Sequence, residues 1–326
     1  MRVLVLTAMY PTPERPVFGT FVREQVESLR REGVDVEVMY FDGGRSFRNY
    51  LKAGVALRRR LAAERFDVVH AHYGLTALPA RMQFTRPVVV TYHGSDLLGQ
   101  VGPDGSYTFS GRLKVLLGKA LGFLVNDRII VARRLRTRLW SAHVIPMGVD
   151  MELFVPGPRA DARAQLGLDP AKRYVLFVAN PANRGKRHDI ASKAVAILAG
   201  NDPSIELLVV FKVPHDHVPA YMRAADVLVL TSDHEASPCV IKEALASNLP
   251  IVSVRVGDVE ERLAGVRNCH LCAQDPVDVA AKLAAALADS RPTNGRDMVA
   301  AISLHNTALS TIDVYRRVLG GNGGQD

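Results

Sequence analysis

Short apolar runs rich in Val and Ile recur along the chain, separated by stretches whose apolar residues return every three or four positions. Val3–Thr7, Val34–Tyr40, Val68–Ala71, Val88–Tyr92, Arg128–Val131 and His143–Ile145 read as strands. Between them, Phe21–Arg31, Tyr50–Glu64 and Leu113–Leu121 read as helices. The pattern then breaks at Pro146–Pro158, where three prolines and two glycines fall in thirteen residues. Beyond this break it restarts, with strands at Tyr174–Ala179, Glu206–Phe211, Val227–Thr231 and Ile251–Val254. The intervening helices are Asp189–Leu198, Ala220–Ala225, Pro238–Ser247 and Val277–Leu287. Strand and helix alternating at this spacing predicts parallel sheets with helices on both faces, and runs such as Val88-Val89-Val90 suit strands covered on both sides. The expected division is a first α/β domain over 1–146, a second over 147–303, a helix over 304–319 that packs back on the first domain, and a flexible tail over 320–326. Ligands of open parallel sheets bind beyond the carboxyl ends of the strands, so the chemistry belongs in the loops that follow them.

A length of 326 residues, 48% of them hydrophobic, suffices for two buried cores. The opening MRVLVLTAMYPTPERP meets polar, Pro-rich sequence within ten residues, which fits a first buried strand and fits a secretory signal poorly. No stretch approaches the roughly 18 uninterrupted apolar residues of a membrane span. A cytoplasmic protein is expected. The net charge of +8 and pI near 9.5 call for an acidic partner. Arg48, Lys52, Arg58, Arg59 and Arg60 alternate with Leu51, Val55, Leu57 and Leu61, so residues 48–63 predict either a basic amphipathic helix lying on an anionic membrane surface or a solvated helix face. No aromatic-and-basic RNA-binding pattern accompanies the charge, so nucleic acid is not the expected partner. Cys269 and Cys272 have the two-residue gap of a zinc or redox pair, but no second ligand pair stands out and buried thiols are the expected reading.

The segment Thr231–Glu243 carries the most chemistry. A strand ends in a polar loop, Ser237 is placed to cap the next helix, and Pro238 suits its first position. The amides at that helix start form an anion site, with Glu235 just before it and Glu243 roughly 7–8 Å further along. Two carboxylates bracketing an anion site suit the two ends of a diphosphate: Glu243 for a ribose diol, Glu235 for sugar hydroxyls. The same residues also fit a plainer arrangement, Glu243 capping an amide or pairing with Lys242 and Glu235 lying in a loop. Gly-x-Gly-x-x-Gly is absent, and His234-Glu235 is not followed by the second His of a zinc protease, because position 238 is Pro.

Glu235 and Glu243, with Ala-Leu-Ala-Ser-Asn-Leu-Pro after them, resemble the Glu-x7-Glu signature of the retaining GT-B glycosyltransferases of family 4 (glycosyl transferases group 1). The resemblance spans nearly the whole chain, through Val17–Gln25, Phe66–His72, Thr91–Asp96, Val144–Asp150 and Ala224–Thr231. It implies two Rossmann-like domains facing across a cleft, and transfer of a sugar from a nucleotide diphosphate sugar (UDP- or GDP-) with retention of anomeric configuration. The nucleotide sugar is a co-substrate, and no cofactor or metal is implied. The basic first half of the chain adds an expected acceptor, a saccharide or lipid-linked molecule of cell-envelope or exopolysaccharide synthesis, met at the inner face of the membrane.

By the same resemblance Glu243 holds the donor ribose, Glu235 the donor sugar, and Ala236, Ser237, Pro238, Cys239 and Val240 meet sugar and diphosphate through their backbone. Ala236 stands where many relatives have Gly. The family's first arginine after the opening strand of the second domain aligns near Asn180, so Lys186 takes the family lysine's role and Arg184 replaces the arginine. Gly19 is implied close to the donor phosphate or acceptor, and His93 beside the donor sugar, with Asp96 and His72 as weaker candidates. The chain has no Asp-x-Asp pair for a metal on the diphosphate, which fits cations and a helix dipole stabilising the leaving group. A nucleotide-sugar epimerase and a non-catalytic nucleotide-sugar-binding protein are the alternatives.

Overall fold

The apolar runs form parallel strands. The computed structural model describes residues 1–44, 46–99, 108–289, 291 and 293–320, so the expected tail lies, past Gly320, outside the described residues. Contacts divide the chain into two units, residues 1–148 with the helix that starts at Leu304, and residues 149–303.

In the first unit the strands are β1 (Arg2–Thr7), β2 (Asp35–Tyr40), β3 (Val68–His72), β4 (Val88–Tyr92), β5 (Asp127–Ile130) and β6 (His143–Val144). They pair in the order β2-β1-β3-β4-β5-β6, all parallel. The connecting helices are α1 (Thr20–Arg31), α2 (Phe47–Ala63), α3 (Ala77–Ala80), α4 (Ser95–Leu98) and α5 (Phe109–Leu121). Both faces of β1 are buried, Val3 and Val5 on one and Leu4 and Leu6 on the other, as a parallel strand covered on two sides requires. Helices α2 and α5 begin three or four residues before their apolar period does. The Ser46 hydroxyl accepts from Arg48 N at 3.2 Å and that of Thr108 from Gly111 N at 3.0 Å, so caps and not periodicity set the starts.

The second unit holds α6 (Arg159–Leu166), β7 (Arg173–Val178), α7 (His188–Ala199), β8 (Ile205–Val210), α8 (Val218–Ala224), β9 (Val227–Leu230), α9 (Cys239–Ala246) and β10 (Ile251–Val254). It continues with α10 (Val259–Leu263), β11 (Cys269–Cys272), α11 (Pro276–Ala288) and α12 (Gly295–Val299). Its sheet is parallel, in the order β11-β10-β9-β7-β8. The periodicity reading contains neither β11 nor the short helices α6, α10 and α12. Residues three apart in a strand point to opposite faces, so Cys269 and Cys272 cannot close on one zinc ion or on each other. Both thiols are free, and burial pushes each up to about 12. Among the described residues no group of three or more His, Cys, Asp or Glu gathers to hold a metal, and no helix is long and apolar enough to cross a membrane.

The last helix, α13 (Leu304–Gly320), belongs to the first unit. Ala308, Ile312, Tyr315 and Val318 join Val3, Val5, Val22, Val26 and Leu29 in one apolar core. A buried polar chain crosses this core. The Tyr315 hydroxyl meets His70 Nδ1 at 2.6 Å, and His70 Nε2 meets Thr91 Oγ1 at 2.8 Å. Tyr315→Phe keeps the ring and strands a buried imidazole nitrogen, at a cost of about 1–3 kcal/mol in denaturant unfolding. Leu309→Ala, at a position 40% exposed on the same helix, is expected to stay within about 0.5 kcal/mol of the parent.

Burial pulls the His70 imidazole from its ordinary 6.5 to about 3, with the neighbouring His93 adding to the effect, and holds His72 well below 6.5 for the same reason. Both are therefore neutral when folded, whereas the unfolded chain protonates them below about pH 6.5. Their contribution is complete above that pH and is lost as pH falls below it, for His70 through about 3, each adding a slope of up to about 1.4 kcal/mol per pH unit. Denaturation midpoints at pH 7, 6 and 5 should show this slope, and His70→Gln should flatten it by about one proton.

Candidate active site

Each sheet reverses its winding once. In the second unit the chain winds outward one way from β7 to β8 and the other way from β9 to β11, so the loops leaving β7 and β9 diverge at a switch point where such sheets bind ligands. After β7 come Asn180, whose side chain accepts from Ala182 N at 3.0 Å, and a single turn Arg184–Lys186. After β9 comes the segment Thr231–Pro238, which leads into α9. Thr231 Oγ1 donates to the carbonyls of Lys186 and Arg187 at 3.1 and 2.9 Å, and Asp233 N donates to Gly185 O at 2.9 Å. The two loops are thus stapled together, and Lys186 Nζ reaches Glu235 Oε1 at 2.5 Å. Arg187 pairs with Asp189 at 3.0 Å and Asp233 at 3.3 Å, while Arg184 is exposed on the turn.

The start of α9 differs from expectation. Pro238 is extended (ψ 123°) and serves as the N-cap, so the helix begins at Cys239. Ser237 does not cap it, because its hydroxyl donates to Asp258 Oδ2 at 2.9 Å and receives Lys242 Nζ at 3.4 Å. Pro238 itself has no side-chain group with which to cap the helix. Glu243 does not pair with Lys242: it is buried on α9 and meets His215 Nε2 at 3.0 Å, from the loop after β8. Ala236 to Val240 run between these acids, with Pro238 buried and the others half-buried. Behind them lies Gly257 at φ 63°, where a Cβ would sit 2.8 Å from the Ala236 carbonyl oxygen. That close approach requires glycine. The switch point therefore gathers Lys186 and Glu235, and α9 carries Glu243 away from it toward His215.

The first unit has its switch point between β1 and β3. Gly19 precedes α1 in the left-handed region (φ 75°), and a Cβ there would lie 2.5 Å from the Met9 carbonyl carbon. The glycine is thus accounted for by the approach of its own chain in the loop after β1. His93 follows β4, half-buried, with its ring 5.0 Å from that of Phe21 on α1, and its Nε2 meets Nδ1 of the buried His72 at 3.1 Å. Asp96 is buried, and burial raises its carboxyl. It accepts from the amides of His93 (3.1 Å), Gly94 (2.8 Å) and Gly74 (3.0 Å), so it binds the His93 loop to the loop after β3.

His215, Asp258 and Gly257 are absent from the sequence reading. Each follows the C-terminal end of a strand, β8 or β10, and that position was the one signal available for them.

A model of Glycosyltransferase Family 4 matches residues 2–153, and one of Glycosyl transferases group 1 matches 207–289. The chain is 28% identical over 307 residues to a D-inositol 3-phosphate glycosyltransferase of Arthrobacter sp. (strain FB24), covering 79% of this chain and 72% of the relative. It is 24% identical over 322 residues to a putative teichuronic acid biosynthesis glycosyltransferase, TuaC, of Bacillus subtilis, covering 79% and 82%. Among solved structures, sucrose-phosphate synthase from Thermosynechococcus elongatus superposes with a TM-score of 0.80 at 19% identity, over 98% of this chain and all of that one. Anabaena HepE, solved in complex with UDP, superposes with a TM-score of 0.71 at 17% identity, over 97% and 100%. These neighbours establish the GT-B fold, two Rossmann-like parallel-sheet domains. With both family models falling in order along it, the chain belongs to the family 4 glycosyltransferases.

Proposed function

We propose that this glycosyltransferase moves a hexosyl group from a UDP- or GDP-sugar, with retention, onto a saccharide or lipid-linked acceptor of cell-envelope or exopolysaccharide synthesis. The observation that carries the reading is the Lys186–Glu235 pair at the switch point, at the foot of the helix that bears the buried Glu243. In this reading the diphosphate rests on the amides that open α9, where the helix dipole favours an anion. Glu243, oriented by His215, takes the ribose diol, and Glu235 takes hydroxyls of the sugar. The backbone from Ala236 to Val240 follows the sugar and diphosphate.

Departure of a nucleoside diphosphate develops charge on the oxygen that bridged it to the sugar. Lys186 and Arg184 stabilise that charge in place of a metal ion, with Arg184 supplying the cation that Asn180 does not. Glu235 holds the ammonium of Lys186 in place through their 2.5 Å contact. The acceptor hydroxyl attacks from the side the leaving group departs, and its proton passes to a phosphate oxygen, so no covalent nucleophile is required. His93, held by His72 and Asp96, is the residue the first unit offers for contact with substrate. A relative named for teichuronic acid biosynthesis favours an envelope polymer as acceptor, met at the cytoplasmic face of the membrane.

Proton NMR of product made from a donor of defined anomeric configuration should show that configuration kept, and an inverted linkage would refute the reading. Lys186→Ala should lower kcat about 10²–10³-fold with little change in donor KM. Glu243→Gln should instead raise donor KM by about tenfold or more, the cost of a charge-assisted hydrogen bond. Conversion of donor without any acceptor would favour the epimerase, and donor binding with no turnover under a broad acceptor screen would favour a binding protein.

A further inference from the structure

Helix α5 is built inside out. In a helix of a globular unit the large apolar side chains face the core. Here the inward positions are glycines: Gly111 and Gly118 on the helix and Gly122 just after it are all buried. A Cβ on Gly118 would lie 3.3 Å from Asp96 O, and one on Gly122 would lie 2.5 Å from Trp140 Nε1, so the helix sits too close for larger residues. Tyr92 donates to Gly118 O at 3.0 Å and Trp140 to Lys119 O at 3.0 Å, locking it in place.

Val115 and Leu121 are half-buried, and the other large apolar side chains are outside. Phe109, Leu113, Leu116 and Leu117 fall at i, i+4, i+7 and i+8, one stripe along the helix, and Phe123 and Leu124 extend it. All six are exposed, from 42% at Leu117 to 84% at Phe109. The stripe continues to Phe84, 85% exposed, through Arg81: its guanidinium donates to Leu124 O and Asn126 Oδ1 and lies 5.9 Å from the Phe84 ring. Contiguous apolar surface on this scale marks a docking site.

Charge selects the occupant. Residues 108–126 contain Arg112, Lys114 and Lys119 and no acidic residue. Two copies meeting face to face about a twofold axis would set these cations against themselves, which disfavours a homodimer through this face. Apolar side chains flanked by cations match the interface of an anionic bilayer, where headgroups meet the cations and acyl chains receive the apolar groups. Helix α2 makes a weaker case: it exposes only Phe47, Leu51 and Val55 among its large apolar residues, and its Arg60 is engaged by Glu37 and Glu64.

We propose that the outer face of α5, continued through Phe123 and Leu124 to Phe84, is the surface by which this protein seats on an anionic lipid bilayer. This deepens the proposed reading, and rests on it only for the reason the enzyme goes there; bilayer binding itself needs no sugar nucleotide. The test is sedimentation of the full chain at low salt with vesicles of phosphatidylglycerol and phosphatidylethanolamine, and with phosphatidylcholine alone. The parent is expected to bind the anionic vesicles at least tenfold more tightly than the neutral ones. Phe109→Ser, Leu116→Ser and Phe123→Ser combined should weaken that binding at least tenfold, with thermal midpoint and transfer to a soluble acceptor unchanged. Charge reversal on α2 (Lys52→Glu with Arg59→Glu) should matter less. Parent protein that ignores anionic vesicles, or a triple variant that binds them as the parent does, overturns the proposal. So does a parent that is dimeric in solution and made monomeric by the triple substitution. A variant that loses vesicles but keeps transfer supports the surface, whereas a parent that binds vesicles but transfers no sugar refutes only the catalytic reading.

Discussion

The candidate site depends on one topological constraint, the reversal of winding in each parallel sheet. A right-handed crossover from the first strand to its outer neighbour leads one way and that from the third strand leads the other, so two adjacent strand ends are left without a connection between them. In the second unit that gap has walls made by the loops after β7 and β9, and Thr231 binds them by donating to two successive carbonyls of the opposite loop. Only with the loops held at that spacing do Lys186 and Glu235 meet. A half-buried lysine and a carboxylate in such a place each carry a desolvation cost, which their pairing offsets. The pair is thus a consequence of the strand order as much as of the residues.

Around this pair the support comes from loops at the same edge of the sheet. The loop after β10 supplies Asp258, which takes the Ser237 hydroxyl and Arg262 at 2.9 Å each, and Gly257, which lets the chain pass under Ala236. The loop after β8 supplies His215 to Glu243. Four strand ends therefore hold the segment from 235 to 243, and the two acids are anchored through different loops. Substitutions at the pair and at Glu243 are separable for that reason.

The architecture was largely legible because parallel strands covered on both sides are written as unbroken apolar runs, and the helices between them carry a clear period. Elements with too few residues to show a period, α6, α10 and α12, were not, and β11 hid behind a cysteine spacing that suggests metal. At the site, Glu235, Glu243 and Lys186 could be found because a contiguous motif and a basic turn display them. Their partners could not. His215 and Glu243 are 28 residues apart, and Ser237 and Asp258 are 21 apart; only the folded sheet brings them together. Ser237 and Pro238 show the limit in the other direction: local rules made Ser237 the cap, and a distant carboxylate took its hydroxyl instead.

Helix α5 shows what periodicity cannot express. A period of 3.6 says that apolar residues share a face, but not whether that face meets the protein. The deciding residues are the small ones, because a helix approaches closest where its side chains are absent. Gly118 rests against the backbone of Asp96, whose carboxylate in turn holds the amides of His93, Gly94 and Gly74. One short helix thus presents an exposed apolar stripe on its outer side and, on its inner side, braces the residue that fixes the His93 loop. The glycines that push the leucines outward are the same ones that bring the helix close enough to do so.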